Sequence, residues 1–167
     1  MTQETYAQMI GRTRAALSRL PGGERLLRLP TLICAAAYIA ALFTLMLMRD
    51  IRLIRVLLVP AACFIICTML RPAIGRQRPY DRFDTDPVGR FRRGKGKSMP
   101  SRHTASAAAI ALAVAYAFPA PALIASMLLL CALIAALRVL AGQHYPGDVL
   151  AALALSGVIS LIGYVLI

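Results

Sequence analysis

The amino-acid sequence predicts an all-α protein: a polytopic transmembrane helical bundle of about five spans, preceded by an N-terminal amphipathic interfacial helix. Three observations predict it. Hydrophobic residues make up 59% of the 167 residues, above the usual globular share. They fall in long blocks, several of which reach or approach the ~20 residues needed to cross a bilayer core. Basic residues flank the blocks, as they flank membrane spans.

Residues 1–29 form the N-terminal segment. Tyr6, Met9, Ile10, Thr13, Leu17 and Leu20 recur at helical spacing, with Arg12, Arg14 and Arg19 on other faces. This is the pattern of a short helix lying in the membrane interface. Pro21, Gly22 and Gly23 end it. A solvated tail is the alternative reading of the same residues. The segment is too polar at its start to read as a secretory signal.

Residues 30–167 form the membrane-embedded part. The first span runs from Pro30 to Met48, and a basic turn with Arg49, Asp50, Arg52 and Arg55 follows. The second ends near Leu70, with Pro60 a place for a kink. Residues 71–103 form a polar loop with ten Arg or Lys and three Asp. The third span begins near Ser101 and ends near Phe118, where Pro119 and Pro121 make a tight turn. The fourth runs to Leu140, residues 141–147 form a loop, and the fifth continues to Ile167. No internal repeat is present.

Five spans put the N-terminus, the 71–103 loop and the 141–147 loop on one side of the bilayer. The two short turns and the C-terminus lie on the other. Every unusual polar residue therefore converges on one membrane face.

The formal net charge is +12. In a soluble chain that would suggest nucleic acid. Here the basic residues border membrane spans, so the expected partners are the bilayer with its anionic head groups, and phosphate-bearing substrates. Cys34, Cys63, Cys67 and Cys131 lie within apolar blocks and read as small hydrophobes. No His or acid completes a metal set around Cys63 and Cys67.

Three clusters carry chemistry. The first is Arg71 to Pro79, with Arg71 and Arg78 seven apart at the exit of the second span. Guanidinium groups grip phosphate oxygens bidentately. Pro72 and Gly75 argue against one continuous helix through both. The second is Pro100-Ser101-Arg102-His103-Thr104. Ser101 suits the N-cap of the third span, and a helix N-terminus favours an anion. The third runs from Arg138 through His144 to Asp148. Asp148 is the last acid in the chain and stands four residues after one of only two histidines. It can favour the dipole of the fifth helix, or accept the His144 N–H and fix the ring tautomer.

In order and spacing, these clusters resemble the three-part signature of the type 2 phosphatidic acid phosphatase superfamily: Lys-x6-Arg-Pro, Pro-Ser-Gly-His and Ser-Arg-x5-His-x3-Asp. The resemblance covers residues 71–148. Arg71 stands where the signature has Lys, Arg102 where it has Gly, and Leu137 where it has Ser. The family's usual six-helix core is one helix short, a place that the N-terminal helix or a second subunit in a homo-oligomer can take.

The resemblance implies a membrane phosphatase domain over residues 30–167, with active-site loops at 71–103 and 138–148. It implies that His144 attacks phosphorus, that Asp148 orients it, and that His103 protonates the leaving group and later activates water. Arg71, Arg78, Ser101, Arg102 and Arg138 would hold the phosphoryl oxygens. No metal and no cofactor are implied. Phosphoryl transfer needs positioning and positive charge around the equatorial oxygens, which arginines supply. The expected substrate is a lipid phosphate: phosphatidic acid, phosphatidylglycerol phosphate or polyprenyl diphosphate. The expected location is the bacterial cell membrane, as a multi-pass protein.

Two rivals stand beside this reading. A vanadate-dependent haloperoxidase shares the phosphate-site motif, but those relatives are mainly soluble. A lipid-head-group binder or transporter would use the same basic face without turnover. Orientation also stays open. The convergent face carries sixteen of the nineteen Lys and Arg residues, which points it to the cytoplasm. The resemblance points it outside.

Overall fold

Helices α3 (Leu29–Leu47), α4 (Arg52–Ile74), α6 (Arg102–Ala117), α7 (Pro121–Leu140) and α8 (Pro146–Leu161) build the bundle. Helices α1 (Gln3–Ser18), α2 (Gly23–Leu26) and α5 (Pro79–Arg82) lie at one end of it, and a π-helical turn (Ile162–Leu166) extends α8. This computed structural model describes residues 2–20, 23–89, 91, 93 and 97–166. Pro21 and Gly22, expected to end the first helix, and Arg90, Arg92 and Lys95 of the basic loop lie outside the described residues. No strand occurs among the described residues.

Four helical segments, 29–47, 52–82, 121–140 and 146–166, are long and apolar enough to cross a membrane. Only 22% of the most apolar window of the first, third and fourth is buried by protein. Their outward faces carry Leu32, Ile39, Phe43, Leu129 and Leu150, all exposed. A surface this apolar is stable against lipid and not against water, so the chain is an integral membrane protein.

The fifth long helix, α6, has 16 residues and stands apart in composition and place. It packs against α3, α4, α7 and α8. Its Ala105, Ala107, Ala108, Ala109, Ala111, Ala113 and Ala117 are all buried. Small side chains let helix axes approach closely, the dominant way helices associate where lipid competes for apolar contact. Ser156 Oγ on α8 donates to the Ala105 carbonyl at 2.9 Å and adds a polar tie at mid-bundle. Ala109, fully buried, packs with Cys63, Cys67, Ala105 and Ala152. Ala109→Leu forces three extra heavy atoms onto that seam and is expected to cost about 1–3 kcal/mol. Thermal unfolding in detergent measures it, with lipid-facing Leu129→Ala as the silent control.

Helix α4 runs past the expected end at Leu70 as far as Ile74. Gly75 stops it in the left-handed conformation, φ 63°, with its N–H on the Arg71 carbonyl at 3.1 Å. Arg71 is thus in the last turn of α4, while Arg78 precedes α5 on a separate segment.

The apolar stripe of α1 is spent on the protein itself. Tyr6 and Ile10 are buried with Tyr80, Val88 and Ala141, and Met9, Leu17 and Phe83 pack around them. Tyr6 Oη donates to the Gly142 carbonyl at 2.7 Å. Gly142 has φ 73°, and a Cβ there would come within 2.6 Å of Ile10 Cδ1 and 2.7 Å of Tyr6 Oη. A side chain at 142 would therefore strain the turn and push α1 away.

Candidate active site

Four connections draw the polar segments to one end of the bundle. Val88 N–H donates to the Ala141 carbonyl at 2.9 Å, Ser98 N–H to the Arg76 carbonyl at 2.8 Å, and Ser101 N–H to the Asp148 carbonyl at 3.1 Å. The His144 N–H folds back onto the Arg138 carbonyl at 3.2 Å. The three sequence clusters meet through these bonds, although they begin at Arg71, Pro100 and Arg138, far apart in the chain.

His144 lies in the loop between α7 and α8 and is 3% exposed. Its Nδ1 stands 3.5 Å from Asp148 Oδ2. That is just beyond a formed N–H···O bond, and such contacts often tighten only when substrate binds. No other polar atom among the described residues partners Nδ1. Burial is the largest influence on the ring and holds its pKa below the ordinary histidine value. Arg78 and Arg71 add to that lowering, and Asp148 opposes it. The ring is therefore neutral near pH 7, as an attacking imidazole must be.

Asp148, in the first turn of α8, is fully buried. Its Oδ2 accepts the Tyr145 N–H at 3.0 Å and the Ser98 hydroxyl. Its Oδ1 accepts Arg76 Nη1 at 2.9 Å. Sequence reasoning singled out neither Arg76 nor Ser98. Arg76 sits between the two arginines of the first cluster, and that position is the one signal that pointed to it.

His103 is exposed in the first turn of α6, within electrostatic range of His144, Arg138, Arg102 and Arg78. Arg71 is 6% exposed and has Arg78 and Arg102 in the same range. Arg138 has Arg78 there too. The structure thus brings both histidines and all four expected arginines together. A cleft lined by one sign of charge concentrates ions of the other.

Not all of these side chains point freely into the site. Arg71 donates to the Lys97 carbonyl from both Nε, at 2.9 Å, and Nη2. Arg138 donates to Gln143 Oε1 at 2.8 Å and Thr31 Oγ1 at 3.3 Å. Each guanidinium keeps further N–H groups, since it has five. Ser101 occupies the N-cap of α6, yet its hydroxyl makes no capping bond and accepts from Thr104 Oγ1 at 3.1 Å. The first-turn N–H groups of α6 are thus not consumed by Ser101, which suits anion binding there.

A cavity of about 350 Å³ opens beside the cluster, lined by Arg102 and His103 and by an apolar wall that includes Cys34, Phe64, Ala107 and Ile134. Arg102 lies 6.0 Å over the Phe64 ring. Among the described residues, no group of three His, Cys, Asp or Glu stands together as a metal set.

Comparison with known proteins gives three findings. The family model described as the PAP2 superfamily matches residues 52–167. Two solved structures share the fold. The crystal structure of Aquifex aeolicus LpxE aligns over 96% of this chain and 92% of that one, with TM-score 0.74 and 19% identity. The crystal structure of a transmembrane PAP2-type phosphatidylglycerolphosphate phosphatase from Bacillus subtilis aligns over 97% of this chain and 85% of that one, with TM-score 0.66 and 20% identity. Among curated proteins no sequence relative matches.

Proposed function

This chain belongs to the PAP2 superfamily, and on that premise we propose that it removes a phosphoryl group from a membrane lipid through a phosphohistidine on His144, without a metal ion. The observation that carries the proposal is the buried His144, 3.5 Å from Asp148, with four arginines in electrostatic range of the pair or of one another. Nothing in a merely structural core calls for that set, because crowding half-buried Arg78 and Arg138 and exposed Arg102 around a buried Arg71 costs desolvation and repulsion.

The chemistry follows from the atoms. With the Nδ1 proton shared with Asp148, Nε2 of His144 carries a lone pair. It attacks phosphorus, the P–N bond forms, and the bond from phosphorus to the lipid oxygen breaks. His103 gives that oxygen a proton. Water then attacks phosphorus, His103 takes its proton, the P–N bond breaks, and orthophosphate leaves. Arg71, Arg78, Arg102 and Arg138, with Ser101 and the first N–H groups of α6, hold the equatorial oxygens throughout.

The substrate reading rests on the cavity. Its apolar wall is built by α3, α4, α6 and α7, and Arg102 and His103 line it as well. A lipid in the bilayer presents the matching pair: chain and phosphate. In this reading α3, α4, α6, α7 and α8 all cross the membrane, and the site opens on one face of a bacterial cell membrane. The Bacillus subtilis neighbour acts on phosphatidylglycerolphosphate. Phosphatidic acid and polyprenyl diphosphate are the other candidates, each with a terminal phosphoryl group on a lipid.

Orthophosphate release by the purified protein in mixed micelles, with each of the three lipids in turn, tests the function. Binding without release would make the chain a head-group binder. Metal independence is tested in the same assay. The arginines take the place of a cation at the phosphoryl oxygens, so activity is expected to be unchanged by EDTA. Vanadate is expected to inhibit competitively as a five-coordinate phosphorus mimic. Loss of all activity in EDTA, regained with Mg²⁺, would rule out the metal-free mechanism.

A further inference from the structure

Asp148 is the most heavily held side chain in the site, and two of its holders have no part in the scheme above. Arg76 Nη1 reaches Oδ1 at 2.9 Å, and the Ser98 hydroxyl reaches Oδ2. Arg76 is itself fixed. Its guanidinium lies 4.4 Å from the centroid of the Tyr145 ring. Its Nη1 approaches Met99 Sδ at 3.7 Å, and its carbonyl accepts the Ser98 N–H at 2.8 Å. Arg76 and Ser98 thus form one unit on Asp148, in which Arg76 holds Oδ1 and Ser98 shares with His144 the oxygen Oδ2.

We propose that Arg76 is a positioning residue, which takes up part of the Asp148 charge so that the carboxylate orients His144 without fixing a second proton on its ring. The inference rests on the reading of His144 as nucleophile. A carboxylate 3.5 Å from an imidazole does two things at once. It aligns the ring, and it stabilises the imidazolium. The first helps an attacking histidine. The second removes the lone pair from Nε2. A guanidinium on the far oxygen keeps the alignment and weakens the field felt by the ring. It also compensates a carboxylate that has no access to water.

The other groups facing His144 do not substitute for it. Arg71 from α4 and Arg78 from the segment before α5 act on the ring directly, and His103 from α6 lies within electrostatic range of it. Tyr145 alongside is faced by Arg82 of α5 and Tyr6 of α1. Among the described residues, Arg76 alone forms an ion pair with Asp148 through a cationic side chain that is never neutral near pH 7.

The test uses the full chain in micelles, as wild type, Arg76→Gln, Arg76→Met and Arg76→Lys. Methionine keeps an apolar contact on Tyr145 and serves if glutamine is not tolerated. Two quantities are read: the acid limb of kcat/KM with the lipid phosphate that is turned over, and the ¹⁵N titration of His144. The titration is made in a His103→Gln background, where His144 is the one histidine left. Substrate ionisation is common to all the proteins, so differences between them report the enzyme. Removing the charge is expected to raise the His144 titration and the acid limb together by about one pH unit, roughly tenfold in rate below the limb. Lysine is expected to restore both towards wild type. An unmoved titration overturns the proposal. With a uniform fall in kcat it makes Arg76 structural, and with a rise in KM alone it makes Arg76 a phosphate ligand. If the wild type releases no phosphate from any lipid, the functional reading fails, and the titration still decides the coupling.

Discussion

His144→Ala is expected to lower turnover of a lipid phosphate by at least about 10⁴-fold, the scale seen when a covalent nucleophile is removed from a site whose other parts remain. The loss has a specific form. In the proposed scheme Nε2 makes the bond to phosphorus, so the variant loses the phosphoenzyme as well as the rate. Rapid quench with labelled substrate measures both, because a phosphohistidine is acid-labile and survives alkali. The cluster of Arg71, Arg78, Arg102 and Arg138 remains in the variant, so phosphate and vanadate affinity should change far less than turnover. That contrast separates a nucleophile from a binding residue. Label that still appears on the alanine variant would mean another side chain forms the bond. Burial keeps His144 neutral, against the smaller upward pull of Asp148. The wild-type rate should therefore hold through neutral pH and fall only where acid protonates the ring.

His103→Ala is expected to discriminate between substrates. The exposed His103, beside the cavity, is the proposed general acid, so its worth depends on what leaves. A lipid alcohol leaves poorly as an alkoxide. A lipid diphosphate expels a lipid monophosphate, whose second pKa is about 6, and that group leaves with little help. General acid catalysis contributes about 10²–10⁴-fold. A loss of that size is expected with phosphatidic acid, and a much smaller one with a polyprenyl diphosphate or an aryl phosphate. His144→Ala should damage all three equally. The measurement is the chemical-step rate for both variants across the three substrates. An equal fall in every rate for His103→Ala would assign it to phosphate binding or water activation instead.

Hydrophobic blocks and breakers made the bundle legible. The block from Pro121 to Leu140 became α7, and the Pro119–Pro121 turn fell at its start. The candidate site was legible where motif residues stand at helix ends, as with His103, Arg138 and Asp148. It was not legible in the polar stretch between α4 and α6, where no periodicity fixes the chain. Arg76 and Ser98 reach Asp148 from that stretch, and only tertiary folding brings them there. The stripe Tyr6, Ile10 and Leu17 was read correctly as one face of a helix. Periodicity shows that such a face is covered but not by what, and here the cover is the protein's own loops. Ser101 shows the converse. Its backbone is at the N-cap, while its hydroxyl serves Thr104, a choice made by side-chain rotation that no spacing encodes.

Helix α6 spans about 24 Å at 1.5 Å per residue, less than the ~30 Å of hydrocarbon in a typical bilayer. Enclosed by α3, α4, α7 and α8, it meets its neighbours' side chains rather than acyl chains. Hydrophobic mismatch is therefore borne by the outer helices, which can tilt or draw lipid around them. The helix that carries Ser101, Arg102 and His103 is decoupled from it. The depth of the site is set by protein packing, and bilayers of different thickness alter how far a lipid phosphate must rise or sink to reach the arginines, not how the arginines are arranged when it arrives.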